Sequence, residues 1–254
     1  MSFEGVAKRF DGDEARDHYA ARDLSLTIER GELVAVVGKT GCGKSTMFNL
    51  LIGLIEPTAG RVSVLGVDPF HRFDALAGKI SVVFQNDRLM PWRSALANVA
   101  YGLELRQMPK AQREAIAMDW LRQLGLDAHA HKYPHSLSGG MRQRVSIARA
   151  FATDPEILLC DEPFSALDEL TGARLREEFR RLVKETHKTG VFVTHSIDEA
   201  IAIGDRILVF RAPGHVAAEY RVADALQRQD EESLKRDILA NMGDAPSAAN
   251  ELPV

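Results

Sequence analysis

The sequence predicts an α/β fold in which a mostly parallel sheet carries helices on its faces and is interrupted by a helical insert. Three observations lead there. An apolar, β-branched run, Leu33 to Val37, is followed by the glycine loop Gly38-Lys39-Thr40-Gly41-Cys42-Gly43-Lys44-Ser45-Thr46 and then by helix-forming Met47 to Leu51. After residue 156, short apolar runs alternate with helical stretches, the pattern that builds a parallel sheet. Between these parts, from about 94 to 153, apolar residues recur at helical spacing: Leu96, Val99 and Leu103, then Ile116, Trp120, Leu121 and Leu124.

Taken in order, Val6-Ala7-Lys8-Arg9-Phe10 reads as a strand that leads into the polar stretch Asp11 to Arg22. Leu24-Ser25-Leu26-Thr27-Ile28 alternates with the period of a half-buried strand. Glu29 to Glu32 turns the chain into Leu33 to Val37. Pro57-Thr58-Ala59-Gly60 is a second turn, before a short strand Arg61 to Leu65. Ile80 to Phe84 is a strand ending at Gln85. Beyond the insert, Ile157 to Cys160, Val191 to Thr194 and Ile207 to Phe210 read as buried strands, with helices Leu170 to Thr186 and Ile197 to Ile203 between them. The expected division is a core of 1–88 and 154–215, a helical part of 89–153, and an extension of 216–254. That extension holds one amphipathic helix after Asp230 and a tail rich in Ala, Pro, Ser and Asn, expected to be poorly ordered.

Composition narrows the function. A net charge of −4 over 254 residues provides no basic field for nucleic acid. No run of about 18 apolar residues is present to span a bilayer. The start, Met1-Ser2-Phe3-Glu4-Gly5, lacks the basic and apolar regions of a secretory signal. The two cysteines, Cys42 and Cys160, make no disulfide framework and suit a reducing cytoplasm.

The glycine loop is the most specific motif. Its glycines let backbone N–H groups turn inward as an anion nest, and the following helix adds the positive end of its dipole. Lys44 can reach the β- and γ-phosphates of a nucleoside triphosphate, and the Ser45 hydroxyl is placed to ligate Mg²⁺. A second chemistry-bearing run, Ile157-Leu158-Leu159-Cys160-Asp161-Glu162, delivers two carboxylates at the C-terminal end of a strand. In an open α/β sheet that edge binds ligands. Asp161 can hold the Mg²⁺ hydration shell, and Glu162 can polarise a water for attack on the γ-phosphate. A third, Leu137-Ser138-Gly139-Gly140-Met141, places a capping serine and two glycines at a helix start, a second anion site without a lysine. That site suits a nucleotide held elsewhere.

These motifs, with Gln85, Ser165-Ala166-Leu167-Asp168 and His195, follow the order and approximate spacing of the ATP-binding-cassette ATPases. The resemblance covers roughly residues 3 to 215. It implies a P-loop NTPase core with a mostly parallel sheet, an N-terminal antiparallel β part and an inserted helical subdomain. It also implies a head-to-tail dimer with itself, each ATP lying between one P-loop and the partner's Ser138-Gly139-Gly140 turn. Glu162 resembles the catalytic base, His195 the switch histidine at the γ-phosphate, and Gln85 the lid glutamine that senses Mg²⁺. Asp168 resembles the loop acid that reaches across the dimer. Phe10 sits where the family places a ring that stacks on adenine, with Tyr19 as its rival. Met141 stands where glutamine is commoner.

The stretch after Gln85, with Pro91-Trp92-Arg93 ahead of a helix, is similar to the same place in importer ATPases for nitrate, aliphatic sulfonates and taurine. The resemblance implies an ATP-binding subunit that works on the cytoplasmic face of the inner or plasma membrane. It would contact an integral-membrane permease near Pro91, Trp92 and Arg93 and be linked indirectly to an extracytoplasmic substrate-binding protein. A cassette ATPase acting on nucleic acid, ribosomes or an assembly complex is the alternative. The short distance from Gln85 to Ser138 leaves no room for a long coiled coil, and no CxxC pair is present.

Overall fold

The computed structural model describes residues 1–10, 19–165 and 167–243. The chain opens with β1 (Ser2–Arg9) and β2 (Tyr19–Thr27), then β3 (Leu33–Gly38), α1 (Lys44–Leu51), β4 (Ala59–Ser63) and β5 (Ile80–Val83). Four helices follow: α2 (Ala95–Val99), α3 (Tyr101–Leu105), α4 (Lys110–Gln123) and α5 (Gly139–Ala152). The alternation then resumes with β6 (Ile157–Asp161), α6 (Glu169–Glu185), β7 (Thr189–Val193), α7 (Ile197–Ile203) and β8 (Arg206–Arg211). The described chain ends with β9 (His215–Arg221), α8 (Val222–Arg228) and α9 (Glu231–Asn241).

Two sheets result. One has the order β2-β1-β4 and is antiparallel. The other has the order β5-β6-β7-β3-β8-β9, with all neighbours parallel except β9 on β8. All six residues of β3 are buried, as a strand covered on both faces requires. Val36 pairs with Val193 and Asp161 pairs with Val193. The ends of β3, β6 and β7 therefore stop at one edge, and that register alone brings three distant sequence motifs together.

The helices between β5 and β6 dock on the sheet through a run of rings. Trp120 on α4 lies 5.1 Å from Phe151 on α5, and Phe151 lies 6.0 Å from Phe179 on α6. Phe164 joins Phe179 to Phe192 of β7 at 5.8 and 5.6 Å. Each ring pair adds about 0.5–1.5 kcal/mol beyond area burial. A separate apolar cluster, including Phe3, Leu24, Met47, Phe48 and Phe210, fills the space between the two sheets.

Three local readings change. β2 begins at Tyr19, inside the stretch read as polar, because Lys8 pairs with Ala21 and Arg9 with Tyr19. Edge pairing supplies backbone hydrogen bonds that side-chain pattern does not announce. β9 is an added edge strand whose residues are at most half-buried, so its apolar signal is weak. The helix expected after Asp230 is α9, and a further short helix, α8, precedes it. The expected poorly ordered tail, 244–254, and Ala166 lie outside the described residues.

Candidate functional site

β3 delivers the glycine loop to the sheet edge, where a cavity of about 550 Å³ opens. Thr40, Gly41, Gly43, Lys44, Ser45 and Thr46 line one side of it. Two glycines make the loop possible for different reasons. At Gly43, φ is +104° and a Cβ would lie 2.6 Å from the Ala20 carbonyl oxygen, so the residue is set by close packing of the chain. At Gly41, φ is +80° and a Cβ would meet nothing within 4 Å among the described residues. That open space is the cradle itself.

Lys44 is 8% exposed, and its Nζ donates to the carbonyls of Gly38 (2.5 Å) and Lys39 (3.1 Å). Its ammonium is thus held under the loop by two carbonyls rather than by a carboxylate. The first-turn N–H groups of Lys44, Ser45 and Thr46 have no helical acceptor, as at any helix start, and they border the cavity. Cys42 is 4% exposed, with its thiol 3.9 Å from Lys44 Nζ on the buried side of the loop. Its backbone is also engaged, the N–H donating to the Lys39 carbonyl at 3.2 Å and the carbonyl accepting from Gly214 N–H at 3.1 Å. Lys39 reaches away to the Gly243 carbonyl at 3.3 Å.

The opposite wall holds Asp161 and Glu162. Burial, then the charge of Glu162, pushes the Asp161 carboxyl above its ordinary value, while Lys44 and Arg88 pull it down. Glu162 has φ +46°, an uncommon backbone state for a side chain with a Cβ. It is held there by its N–H on the Val193 carbonyl (2.8 Å) and by the Ser165 hydroxyl donating to its own carbonyl (3.0 Å). His195 follows β7, and its Nδ1 lies 3.3 Å from Glu162 Oε2.

The residues fit a nucleoside triphosphate with Mg²⁺. Backbone donors and an ammonium face a cavity of ligand size, and Ser45 and Asp161 supply the hard oxygen donors that Mg²⁺ takes.

The remaining motif residues lie apart from this cavity. Gln85 is exposed just beyond β5. Ser138 caps α5 through its hydroxyl, which accepts from Met141 N–H at 3.3 Å, and Gly139 is exposed beside it with Gly140 next in line. Asp168 caps α6 by accepting from Thr171 N–H at 3.0 Å, and that bond holds its carboxyl below the ordinary value. Of the two candidate rings, Tyr19 lines the cavity, whereas Phe10 is 52% exposed with Lys8 Nζ 5.1 Å from its ring centre.

Trp92 is 73% exposed after Pro91. Arg93 is turned inward, making a two-pronged ion pair with Glu104 at 2.9 and 3.2 Å. Sequence pattern did not identify Ala212 and Pro213 as cavity walls; the Pro213-Gly214 turn signal is their only trace. It also did not identify how α5 grips the segment after β5. Arg142 pairs with Asp87 at 2.9 Å, and Arg149 donates to the Asp87 and Arg88 carbonyls at 2.8 Å each.

A family model described as "ABC transporter" matches residues 21–165. The chain is 48% identical over 213 residues to the glycine betaine/proline betaine transport ATP-binding protein ProV of Escherichia coli, covering 82% of this chain and 53% of that protein. It is 37% identical over 223 residues to the taurine import ATP-binding protein TauB of Roseobacter denitrificans, covering 87% of this chain and 82% of that protein. The chain spans about half the length of the betaine relatives, 53% and 49%. Among solved structures, the dimeric ATP-binding cassette MJ0796 bound to ADP and Pi superposes with a TM-score of 0.77 at 36% identity, covering 87% of this chain and 98% of that one.

Proposed function

Because the chain belongs to the ABC transporter family of ATP-binding proteins, we propose that it is the ATP-hydrolysing subunit of an importer. One observation carries this reading: the Lys44–Ser45 loop and the Asp161-Glu162 pair wall a single cavity, with His195 on Glu162. In this reading the loop N–H groups and Lys44 hold the phosphates, and Glu162 accepts the proton of the attacking water. His195 orients Glu162 and the γ-phosphate. Ser45 and Asp161 would hold Mg²⁺, and Gln85, from the segment after β5, would sense it; the ion would supply positive charge to the phosphates.

The exposed Ser138-Gly139-Gly140 turn supports a head-to-tail dimer, in which that turn and Asp168 serve the partner's nucleotide. The core of 1–88 and 154–215, the helical part of 89–153 and the extension from 216 are the parts of this machine. Exposed Trp92 favours a permease contact near Pro91, with the work done at the cytoplasmic face of the membrane. Among the described residues no helix is long and apolar enough to cross a membrane. Relatives named for betaine, taurine, bicarbonate and nitrate transport support a small, polar nutrient as cargo.

The test uses Glu162→Gln. Hydrolysis is expected to fall about 100- to 10,000-fold, the range for loss of a general base, with ATP binding retained. Pull-down of this variant with ATP and Mg²⁺ from gently solubilised membranes should recover a multi-span permease. Parent-like turnover by the variant would remove Glu162 as the base, and recovery of ribosomes or nucleic acid without a permease would overturn the importer reading.

A further inference from the structure

The His195 side chain is 64% exposed, and among the described residues its ring is held only by Glu162. Its position is therefore set by the backbone on either side. That backbone converges on one carboxylate. Thr194 is 1% exposed, and its N–H donates to the Val36 carbonyl of β3 at 3.1 Å. Its hydroxyl accepts from Ser196 N–H at 3.0 Å and donates to Glu199 Oε2 at 2.6 Å. The loop carrying His195 is thus closed by Thr194 and fastened to Glu199 on α7.

Glu199 is 7% exposed, and its other oxygen accepts from Arg176 Nη1 at 3.1 Å. Arg176 lies on α6, two turns from the cap at Asp168. Gly172 makes room for it, since a Cβ there would come 3.0 Å from Arg176 Nη1. A glycine inside a helix costs about 0.5–1 kcal/mol relative to alanine, and here it leaves space for a guanidinium. The preceding acid, Asp198, is 70% exposed and pairs with Lys235 of α9 at 2.7 Å. Two successive acids thus tie α7 to two different helices, and only Glu199 is buried.

We propose that Glu199 is a positioning residue for His195, and that its ion pair with Arg176 ties the histidine to the helix headed by Asp168. This deepens the proposed ATPase reading and rests on it. In a dimer, a shift of α6 produced at Asp168 by the partner reaches the switch histidine through Arg176, Glu199 and Thr194. Buried charge pairs suit such a role, because neither partner tolerates separation from the other.

Steady-state ATPase would be compared for the parent, Glu199→Gln, Thr194→Val, Asp198→Asn, His195→Ala and Glu199→Gln/His195→Ala. Glu199→Gln and Thr194→Val are each expected to lower kcat about 10-fold with KM for ATP within about twofold, and Asp198→Asn to leave both unchanged. The double variant is expected to be no slower than His195→Ala alone. An unchanged kcat in Thr194→Val, which keeps the ion pair and the side-chain volume, would overturn the proposal. So would a double variant that multiplies the two losses. NMR of ring-labelled histidine separates this from the ATPase reading. In nucleotide-free protein the His195 resonance should respond to Glu162→Gln, and that response should vanish in the Glu199→Gln background. Persistence of the response would overturn the proposal even if the parent proved inactive.

Discussion

The two glycine-bearing helix starts, Gly43-Lys44-Ser45 and Ser138-Gly139-Gly140, are built from the same residue types and stand in opposite surroundings. The first faces a cavity of about 550 Å³, has a buried lysine beneath it and looks across at two carboxylates. The second is an ordinary serine-capped helix with Ser138 and Gly139 towards solvent and Gly140 half-buried, close to Thr171 of α6. A helix dipole and a few N–H groups attract an anion only weakly when exposed to water. What turns the first into a site is the wall around it, and the second obtains a wall only if another surface closes over it.

That contrast is open to a direct test. Lys44→Ala is expected to weaken ATP binding to the single chain about 100-fold, as loss of charged hydrogen bonds does. Gly139→Asp should leave that binding within about twofold and lower hydrolysis about 100-fold through repulsion at the partner's phosphate. The exchange is sterically mild, because a Cβ at Gly139 meets only Arg142 Nη2 at 4.0 Å. Isothermal titration and a turnover assay read the two effects. Equal loss of binding in both variants would mean that the two helix starts act on one nucleotide within one chain.

A smaller effect concerns the base. Replacing the ring that stacks on adenine by alanine should weaken ATP but not inorganic triphosphate about 5-fold, from an aromatic contact of about 1 kcal/mol. Tyr19→Ala and Phe10→Ala, compared in this way, decide which ring stacks.

The smallest effect is on stability. With its carboxyl raised by burial and Glu162, Asp161 binds its proton more tightly in the folded chain than in the unfolded one. Its contribution is fully present below the ordinary carboxylate pKa and is lost as pH rises through the raised folded value. At neutral pH without nucleotide or metal, Asp161→Asn should therefore raise Tm slightly. A lowered Tm would show that Lys44 outweighs the burial of the carboxylate.

Much of the site was legible because its parts are local. The glycine loop needs positive φ at Gly41 and Gly43, a lysine and a hydroxyl within a few residues, and all of these are written consecutively. Asp161-Glu162 follows an apolar strand for the same reason. The ring choice was less legible: Phe10 and Tyr19 are both aromatic, and their difference in placement depends on how β1 and β2 pair. The inward turn of Arg93 was hidden because its partner, Glu104, lies eleven residues away on α3. Glu199 was hidden by its plainness, an acid in the first turn of a short helix, where acids are common for reasons of dipole alone.

By itself the sequence determined the strand-loop-helix chemistry of the phosphate loop, the alternation that makes a parallel sheet, and the helical character of the stretch between β5 and β6. Those features depend on residues within one or two turns of each other, where sterics and periodicity act directly. Only the tertiary structure decided which side chains share the cavity, which of two similar helix starts is walled, and which acid holds the histidine. Those outcomes follow from strand register and burial, which join residues as far apart as Val36 and Thr194.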